Sequence, residues 1–234
     1  MRFQTPLIPA RLKRRYKRFL ADIELEDGSQ VTAHCPNPGS MLGLKQPGTK
    51  IWVEPNDDPR KKLKFCWQLV DHENGHFTGI NAGAANKIVR EALIARKLKG
   101  LDDFDTCRAE VKYGEKSRID FLLTSTSDTK HDTYLEVKSV TLMRKKGLAE
   151  FPDSVTDRGL KHLLELKRIA KMGKRAVLFF LIQRNDCAGF EIAFDIDPAY
   201  GEVCRELVLE GIEIKVYFCE LSPDEIRIGK MLIT

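Results

Sequence analysis

The chain has 234 residues, of which 42% are hydrophobic and 31% are charged, and its formal net charge is +5. This composition is typical of a folded globular protein and excludes a disordered chain. The longest apolar run, AVLFFLI at 176–182, is far shorter than the roughly 20 residues of a membrane-spanning helix. No apolar segment follows the basic N-terminus as it would in a secretory signal, so we expect a cytoplasmic protein with no membrane partner.

Positive charge is concentrated near the N-terminus. Residues 1–83 hold 13 Lys and Arg against 9 Asp and Glu. The run RLKRRYKR at 11–18 is either a solvated face or a strand that follows a phosphate backbone, with Tyr16 and Phe19 available for base stacking. On the second interpretation, the candidate nucleic-acid contacts are Arg11, Lys13, Arg14, Arg15, Lys17 and Arg18.

The first third of the chain has the pattern of short β-strands. RFLADIEL at 18–25 alternates apolar and polar residues, a turn is predicted at Asp27–Gly28, and SQVTAHC at 29–35 returns. Further strands are predicted at 49–55, 64–72 and 76–80. Five short strands with no good helix between them favour a small OB-like barrel, a fold that commonly binds oligonucleotides. A β-barrel without a ligand is the alternative.

From about residue 84 the pattern changes to helices and strands. Helices are predicted at 86–100, 155–172 and 198–210, with Asp153 or Ser154 as the N-cap of the second, and Gly100 and Gly173 as stops. Strands are predicted at 107–113, 118–124, 133–139, 175–182 and 212–221, the first three being linked by Gly114 and the polar stretch 125–132. Because the last three strands alternate with helices, we expect them to be parallel. The sequence thus predicts two domains, an all-β barrel at 1–83 and an α/β domain at 84–234.

The stretch YLEVKSV at 134–140 places two opposite charges on one face of a predicted strand. Glu136 and Lys138 are two residues apart, so their side chains point the same way. A buried charge is costly unless it is paired or binds a metal, so these residues form either an ion pair or a metal-and-water site. If the predicted strands at 118–124 and 133–139 are neighbours in the sheet, Asp120 lies beside Glu136. A bound Mg²⁺, or Mn²⁺ in its place, would then relieve the repulsion between the two carboxylates. Such a site is suited to phosphodiester hydrolysis, with Lys138 holding the attacking water.

The same residues resemble a known motif. In the order helix–strand–strand–strand–helix–strand, ID at 119–120 followed by EVK at 136–138 resembles the PD-(D/E)XK nuclease superfamily, with Ile119 in place of the usual proline. Nearly the whole chain is similar to the sugar fermentation stimulation protein A family, except that Pro38 stands where threonine is expected. The similarity is carried by RYKRFLAD (15–22), HCPNPGSM (34–41), EVKYGEKSRIDFLL (110–123), EVKSVTL (136–142), FPDSVTDRGLKHLLEL (151–166) and RAVLFF (175–180).

This resemblance implies a fold and a function. The implied fold is an OB-like domain followed by a PD-(D/E)XK-like domain with a mixed sheet flanked by helices. DNA binding is the implied activity, with a regulatory link to sugar catabolism and to maltose metabolism in particular. Asp120, Glu136 and Lys138 fall on the nuclease-like motif. Superfamily members often carry another acidic group on the first helix, so Glu91, or Glu110 in the first strand, is a further candidate metal ligand.

Several polar residues are candidates for holding phosphate. Arg118 lies two residues before Asp120 on the same strand face, and Arg158 and Lys161 lie near the start of the second helix, where anions are favoured. In the loop at 35–41, Asn37 and Ser40 either bind phosphate or complete turn hydrogen bonds. Two functions follow. One is a metal-dependent nuclease acting on nucleic acid, DNA in the first place, and the other is a non-catalytic DNA-binding regulator.

Overall fold

The computed structural model describes residues 1–113, 117–126 and 132–233. Its first six strands are β1 (Ile8–Tyr16), β2 (Leu20–Leu25), β3 (Gln30–His34), β4 (Lys50–Pro55), β5 (Phe65–Asp71) and β6 (Phe77–Gly79). The later strands are β7 (Thr106–Tyr113), β8 (Ser117–Thr124), β9 (Thr133–Val140), β10 (Leu142–Lys145), β11 (Leu148–Phe151), β12 (Arg175–Ile182), β13 (Gly189–Ile192), β14 (Glu213–Leu221) and β15 (Ile226–Met231). The helices are α1 (Ala84–Ile94), α2 (Asp157–Lys171) and α3 (Pro198–Leu209).

Two sequence expectations fall on residues outside the described ranges. The predicted link at Gly114 and residues 127–131 of the polar stretch lie outside the described residues. Within the described ranges, no helix is both long enough and apolar enough to cross a bilayer.

Strands β1 to β5 form a closed barrel with the connectivity of an OB-fold. β1 pairs with β2 and β4, β2 pairs with β3, and β4 pairs with β5. A parallel bridge between His34 and Cys66 joins β3 to β5 and closes the barrel. The strands alternate, so Leu12, Ile23 and Trp67 are fully buried inside. These observations confirm the OB-like barrel at the start of the chain.

The barrel contains one strand that the alternation of the sequence does not predict. β1 includes most of the basic run, with Ala10 and Leu12 buried and Arg11 and Lys13 exposed. Of its two inward residues, Ala10 has a short side chain and Leu12 stands between charged residues. The alternation of apolar and polar residues is therefore weak in the sequence. The strand predicted at 76–80 is the short β6, which pairs with β5 at the end of the sheet order and is not one of the five barrel strands.

The second half is built on a six-stranded mixed sheet in the order β15-β14-β12-β9-β8-β7. As predicted, β9, β12 and β14 are parallel, whereas β7, β8 and β15 pair antiparallel with their neighbours. The central strand β12 is buried on both faces. Phe179 packs in the core that includes α1, and Phe180 packs in the core that includes α2 and α3. The sheet is therefore flanked by helices on both sides.

Four strands and one helix end differ from the prediction. β10, β11 and β13 form a small separate sheet, and β15 adds an edge to the large one. The first three have 4 residues each, too few to show a period. Helix α1 ends at Ile94 rather than near Gly100. Arg96 has a positive φ of 55° and donates a 2.6 Å hydrogen bond to the carbonyl of Phe104, so the chain turns away from the helix axis.

Candidate functional site

A cleft with a volume of about 620 Å³ lies between the barrel and the α/β half. Arg18 in the β1–β2 turn and the loop residues 37–39 form part of its barrel side. Asp120 on β8, and Glu136 and Lys138 on β9, line its other side together with the first turns of α1 and α2. The structure thus brings the three residues of the D…E-x-K set to one place.

Asp120 lies where the pairing of β8 with β9 ends. The two strands are paired as far as Phe121 and Leu135. Beyond this pair, a side chain replaces the backbone as hydrogen-bond acceptor: Oδ2 of Asp120 accepts a 2.7 Å hydrogen bond from the backbone N–H of Val137. Its Oδ1 accepts a second bond, also of 2.7 Å, from Nδ2 of Asn86 on α1. A strand and a helix together fix this carboxylate in the cleft.

Glu136 is more deeply buried, with 2% of its side chain exposed. Its Oε1 accepts a 2.8 Å hydrogen bond from Nζ of Lys138 and another from Nδ1 of His162 on α2. Its Oε2 is buried and has no hydrogen-bond partner among the described residues. The ion pair considered from the sequence is therefore present, and it leaves one carboxylate oxygen unsatisfied.

The pKa values of the two carboxyl groups are shifted in opposite directions. Burial, followed by the negative charge of Glu136, raises the pKa of Asp120 to about 6. Burial acts in the same direction on Glu136, but contacts with His162 and Lys138 outweigh it, so the pKa of Glu136 is lowered. At pH values above about 6 both groups are ionised, close together and largely out of water. A divalent cation would relieve that repulsion.

Helix α2 brings two further side chains to the cleft. Its N-cap is Thr156, whose Oγ1 accepts a 3.0 Å hydrogen bond from the N–H three residues later, whereas the predicted caps Asp153 and Ser154 precede it. Arg158 and His162 are four residues apart, so they lie on one face of the helix, and both line the cleft. Because the cap fixes where α2 begins, it also fixes the position of His162 along the cleft wall, next to Glu136.

The structure does not bring the two other acidic candidates to the cleft. Glu91 is five residues from Asn86, which in an α-helix turns it about 140° away, and its carboxylate pairs with the amine of Met1 at 2.7 Å. Glu110 is exposed on β7 and has a positive φ of 54°. Neither residue lines the cleft. This corrects the expectation that one of them would stand beside Asp120; the side chain that α1 supplies is the amide of Asn86.

Two further carboxylates line the cleft, those of Glu150 and Asp153, and both are engaged by other groups: Oδ2 of Asp153 accepts a 3.4 Å hydrogen bond from a backbone N–H of the barrel loop. Glu150 on β11 has a fully buried side chain, and Arg144 donates to it from Nη2 at 2.6 Å and from its backbone N–H at 2.8 Å. Within the described ranges, no group of three or more His, Cys, Asp and Glu side chains is placed to hold a metal ion. A cation in this cleft would therefore rest on Asp120 and Glu136, with water or substrate phosphate completing its coordination, as Mg²⁺ commonly does.

Most cations of the basic run are engaged within the barrel. Three of them form ion pairs at 2.7 Å: Arg11 with Glu73, Lys13 with Glu24 and Arg14 with Asp22. Arg15 donates to the carbonyls of Asn37 and Gly39 at 2.7 and 3.1 Å. Lys17 and Arg18 are exposed in the β1–β2 turn and have no ion pair within the described part of the chain. The run is thus mainly a paired surface, and its last residue, Arg18, reaches the cleft.

Of the three cations predicted as phosphate contacts in the α/β half, one lines the cleft and two do not. Arg158 is exposed and lines the cleft, whereas Lys161 on α2 and Arg118 on β8 are exposed outside it. Arg118 therefore does not accompany Asp120 into the cleft.

The polar residues of the loop at 35–41 complete turn hydrogen bonds. Asn37 is 6% exposed. Its Nδ2 donates to the carbonyl of Ile80 and its Oδ1 accepts from the N–H of Gly39, both at 2.8 Å. Oγ of Ser40 lies 3.4 Å from Oδ2 of Asp153. Of the two uses considered for Asn37 and Ser40, these contacts favour the structural one.

Two residues at the carboxylates were not part of the predicted set. Asn86 contacts Asp120, and in the sequence it is one polar residue at the start of an amphipathic helix, which carries no distinguishing pattern. His162, which contacts Glu136, is a lone histidine in the sequence of α2 and was not among the predicted site residues. Its spacing of four residues from Arg158 was a partial signal, because that spacing places both on one helix face.

Comparison with known proteins identifies the family. The family model described as "SfsA N-terminal OB domain" matches residues 14–80, and "Sugar fermentation stimulation protein RE domain" matches 83–225. The sugar fermentation stimulation protein homolog of Ruegeria pomeroyi is 58% identical over 232 residues, which cover 99% of this chain and 100% of the relative. The homolog of Roseobacter denitrificans is 57% identical over 230 residues, which cover 98% of this chain and 97% of the relative. The structure of Pyrococcus furiosus SfsA in complex with Ca²⁺ is similar with a TM-score of 0.87 at 26% identity, over 99% of this chain and 96% of that chain. The chain therefore belongs to the sugar fermentation stimulation protein family.

Proposed function

We propose that the protein acts in the cytoplasm, binds DNA and hydrolyses phosphodiester bonds at Asp120, Glu136 and Lys138 with a divalent cation. The observation that carries this proposal is the carboxylate of Glu136. It is 2% exposed, yet its Oε2 has no hydrogen-bond partner among the described residues. A buried polar atom without a partner is costly, and the neighbouring charge of Asp120 adds to that cost. A bound cation would satisfy both groups.

The donor set fits Mg²⁺, or Mn²⁺ in its place. Asp120 and Glu136 would hold the ion through oxygen, which is the ligand that hard cations prefer. The related Pyrococcus furiosus protein was solved with Ca²⁺, another oxygen-binding divalent cation, and this supports a divalent cation here. When bound, the cation supplies Lewis-acid stabilisation of the charge that develops on the phosphate.

The protein's own side chains would supply the remaining chemistry. Lys138 is 10% exposed and lies 2.8 Å from Glu136, so its charge acts in a poorly solvated place where it is effective. It can orient an attacking water and stabilise negative charge in the transition state. His162 and Asn86 act through the carboxylates that they contact, by fixing the orientation of Glu136 and Asp120.

DNA would be held by cations around the cleft. Arg18 and Arg158 line it and are the first candidates for phosphate contact. The exposed Lys17, Lys161 and Arg118 are further candidates, because each is within two residues of a cleft residue in the sequence. The paired cations of β1 are weaker candidates, because each must exchange a protein carboxylate for a phosphate. In this proposal residues 1–83 form the DNA-binding domain, and residues 84–234 form the domain that carries the chemistry.

A cleavage assay tests the proposal. Supercoiled plasmid and a labelled single strand are incubated with Mg²⁺, Mn²⁺ or a chelator, and the wild type is expected to cut only with a cation. Asp120→Ala and Lys138→Ala should each cut at least about 100-fold more slowly. Glu91→Gln is the matched control, because this acidic side chain of α1 lies outside the cleft. Asp120→Ala should still shift DNA on a gel, since it removes a negative charge. Cleavage by Asp120→Ala at the wild-type rate would show that the assigned site is wrong.

A different observation favours a second function, DNA binding without cleavage. Glu136 is already engaged by Lys138 and His162, and Glu150 by Arg144, so much of the negative charge in the cleft is balanced within the protein. A DNA-binding regulator of sugar metabolism could use the same basic surface, with the nuclease-like half as a scaffold. DNA that shifts on the gel but stays uncut with every cation would support this function and exclude the nuclease.

A further inference from the structure

A second cavity, with a volume of about 880 Å³, lies on another face of α1. Ala84, Lys87 and Glu91 line this cavity, whereas Ala85 and Asn86 line the cleft. Residues three and four positions apart share a helix face, so one helix separates two open spaces. The cavity's other walls include residues 1–5, 54–57, 61–63 and 65–66.

Two of the three acidic groups of the cavity wall have internal partners. Glu54 accepts hydrogen bonds from the backbone N–H of Gln4 at 2.6 Å and from Nε2 of Gln68 at 2.7 Å. Glu91 pairs with the amine of Met1 at 2.7 Å. Both carboxylates therefore hold the N-terminal segment and the barrel together and are not free to attract a cationic ligand.

The lysines of the same wall are not used in this way. Lys61, Lys62 and Lys87 are exposed, and none of them has an ion pair within the described part of the chain. Together with Arg2, which lies 3.9 Å from the carboxylate of Glu225, they outnumber the acidic residues of the wall, which are Glu54, Asp57 and Glu91. The cavity thus has an excess of positive charge at its rim and is suited to an anion.

The cavity also has an apolar surface. Phe3, Leu63 and Phe65 line it and are half-buried. Phe3 packs against the core of the α/β half and Phe65 against the core of the barrel, so the cavity lies where the two cores meet. Ligand pockets are often found at such junctions, with volumes of about 300–1,000 Å³, apolar walls and a few polar groups that orient the ligand.

We propose that this second cavity binds a nucleotide, with the base against Phe3 and Phe65 and the phosphate among Lys61, Lys62 and Lys87. Aromatic side chains bind planar bases, and lysines bind phosphate as point charges. The same chemistry is presented by a free mononucleotide and by the phosphorylated end of a nucleic-acid strand. The site is separate from the carboxylate cleft and needs no cation, so it goes beyond the proposed hydrolysis and does not depend on it.

The test is calorimetric titration of the full chain, in the presence of a chelator. The probes are AMP, adenosine, inorganic phosphate and an adenine trinucleotide with and without a 5′-phosphate. AMP is expected to bind more tightly than adenosine or phosphate alone. Lys61→Ala/Lys87→Ala is expected to weaken AMP binding at least about tenfold, because charged contacts to phosphate are lost. Lys171→Ala, an exposed lysine of α2 outside the cavity, is the matched control.

The trinucleotide distinguishes the two sources of the ligand. Tighter binding of the 5′-phosphorylated trinucleotide than of AMP would assign the cavity to strand ends, and the reverse order would assign it to free nucleotides. Equal binding of AMP and adenosine, or unchanged AMP binding by the double lysine variant, would overturn the proposal. AMP binding that is lost in Arg158→Ala but retained in the lysine variant would place the nucleotide in the cleft and also overturn it.

Discussion

At Asp120, hydrogen bonding and burial act in opposite directions, and burial prevails. Asn86 and the N–H of Val137 each donate a 2.7 Å hydrogen bond to the carboxylate, which stabilises its charged form. Burial and the charge of Glu136 favour the protonated form more strongly, so the pKa is raised to about 6. A charged Asp120 therefore lowers the free energy of unfolding at neutral pH unless a cation is bound.

In the cation-free protein, the stability of Asp120→Asn relative to the wild type is expected to rise with pH. An aspartate in the unfolded chain has a pKa near about 3.9, and the folded value is about 6. Between these values the folded state retains a proton that the unfolded state has lost. The stability of the wild type relative to the variant therefore falls as the pH rises through this window, by about 3 kcal/mol in total.

Urea unfolding with a chelator, at several pH values between about 4 and 8, measures this difference. Asp224→Asn is the control, since Asp224 is exposed and does not line the cleft. A stability difference between the wild type and Asp120→Asn that stays constant over the whole range would contradict the raised pKa.

At the scale of elements, one aspartate connects the starts of two helices. Thr156 caps α2, and its own N–H donates to Oδ2 of Asp197 at 2.9 Å. Oδ1 of Asp197 accepts a 3.0 Å hydrogen bond from the N–H of Tyr200, as the N-cap of α3. The first turns of α2 carry Arg158 and His162 into the cleft, so the geometry of the site depends on this pair of caps.

Thr156→Ala is expected to lower the free energy of unfolding by about 1 kcal/mol, because the capped N–H loses its acceptor. Asp197→Ala should cost more, since it leaves two backbone donors without a partner. Ser154→Ala is the control: Ser154 is exposed and was one of the caps expected from the sequence. Thermal or urea unfolding measures all three, and a loss in Ser154→Ala as large as in Thr156→Ala would mean that the helix starts earlier.

At the scale of the whole molecule, the loop at 35–41 joins the barrel to the α/β half. Arg15 holds the loop through the carbonyls of Asn37 and Gly39. Asp153, from the segment between β11 and α2, accepts from the loop and packs against Gly39, where a Cβ atom would lie 2.3 Å from its Oδ2. A Cβ atom at position 39 would therefore displace the Asp153 carboxylate, which joins the two halves at this side of the cleft.

Gly39→Ala is expected to destabilise the protein by about 1–3 kcal/mol, because Asp153 must move away. In an Asp153→Ala background the same substitution should cost much less, since the carboxylate it meets is gone. Gly83→Ala is the matched control, because its Cβ would meet only the Asn81 side chain at 3.4 Å. A double-mutant cycle on unfolding free energies measures the coupling, and additive costs would contradict direct contact.

Periodicity predicted much of the fold because it reflects local geometry. β2 to β5 alternate clearly enough to be recognised, and the apolar run of β12 indicated a strand covered on both faces, as the two cores around it confirm. β1 was not counted because charged side chains dominate its pattern, and β10, β11 and β13 are too short to have one. The end of α1 was placed too late, because Gly100 was taken as the helix stop although the chain has already turned at Arg96.

The sequence by itself determined which charges lie together on a strand. Glu136 and Lys138 must point the same way in any β-strand, and the order of elements placed Asp120 in the neighbouring strand. Only the tertiary structure decided which residues meet these three, because that depends on the rotation of each helix against the sheet and on how far apart the elements pack. Those distances placed Asn86 rather than Glu91 at Asp120 and brought His162 to Glu136. They also opened a second cavity on another face of the same helix, which no local pattern encodes.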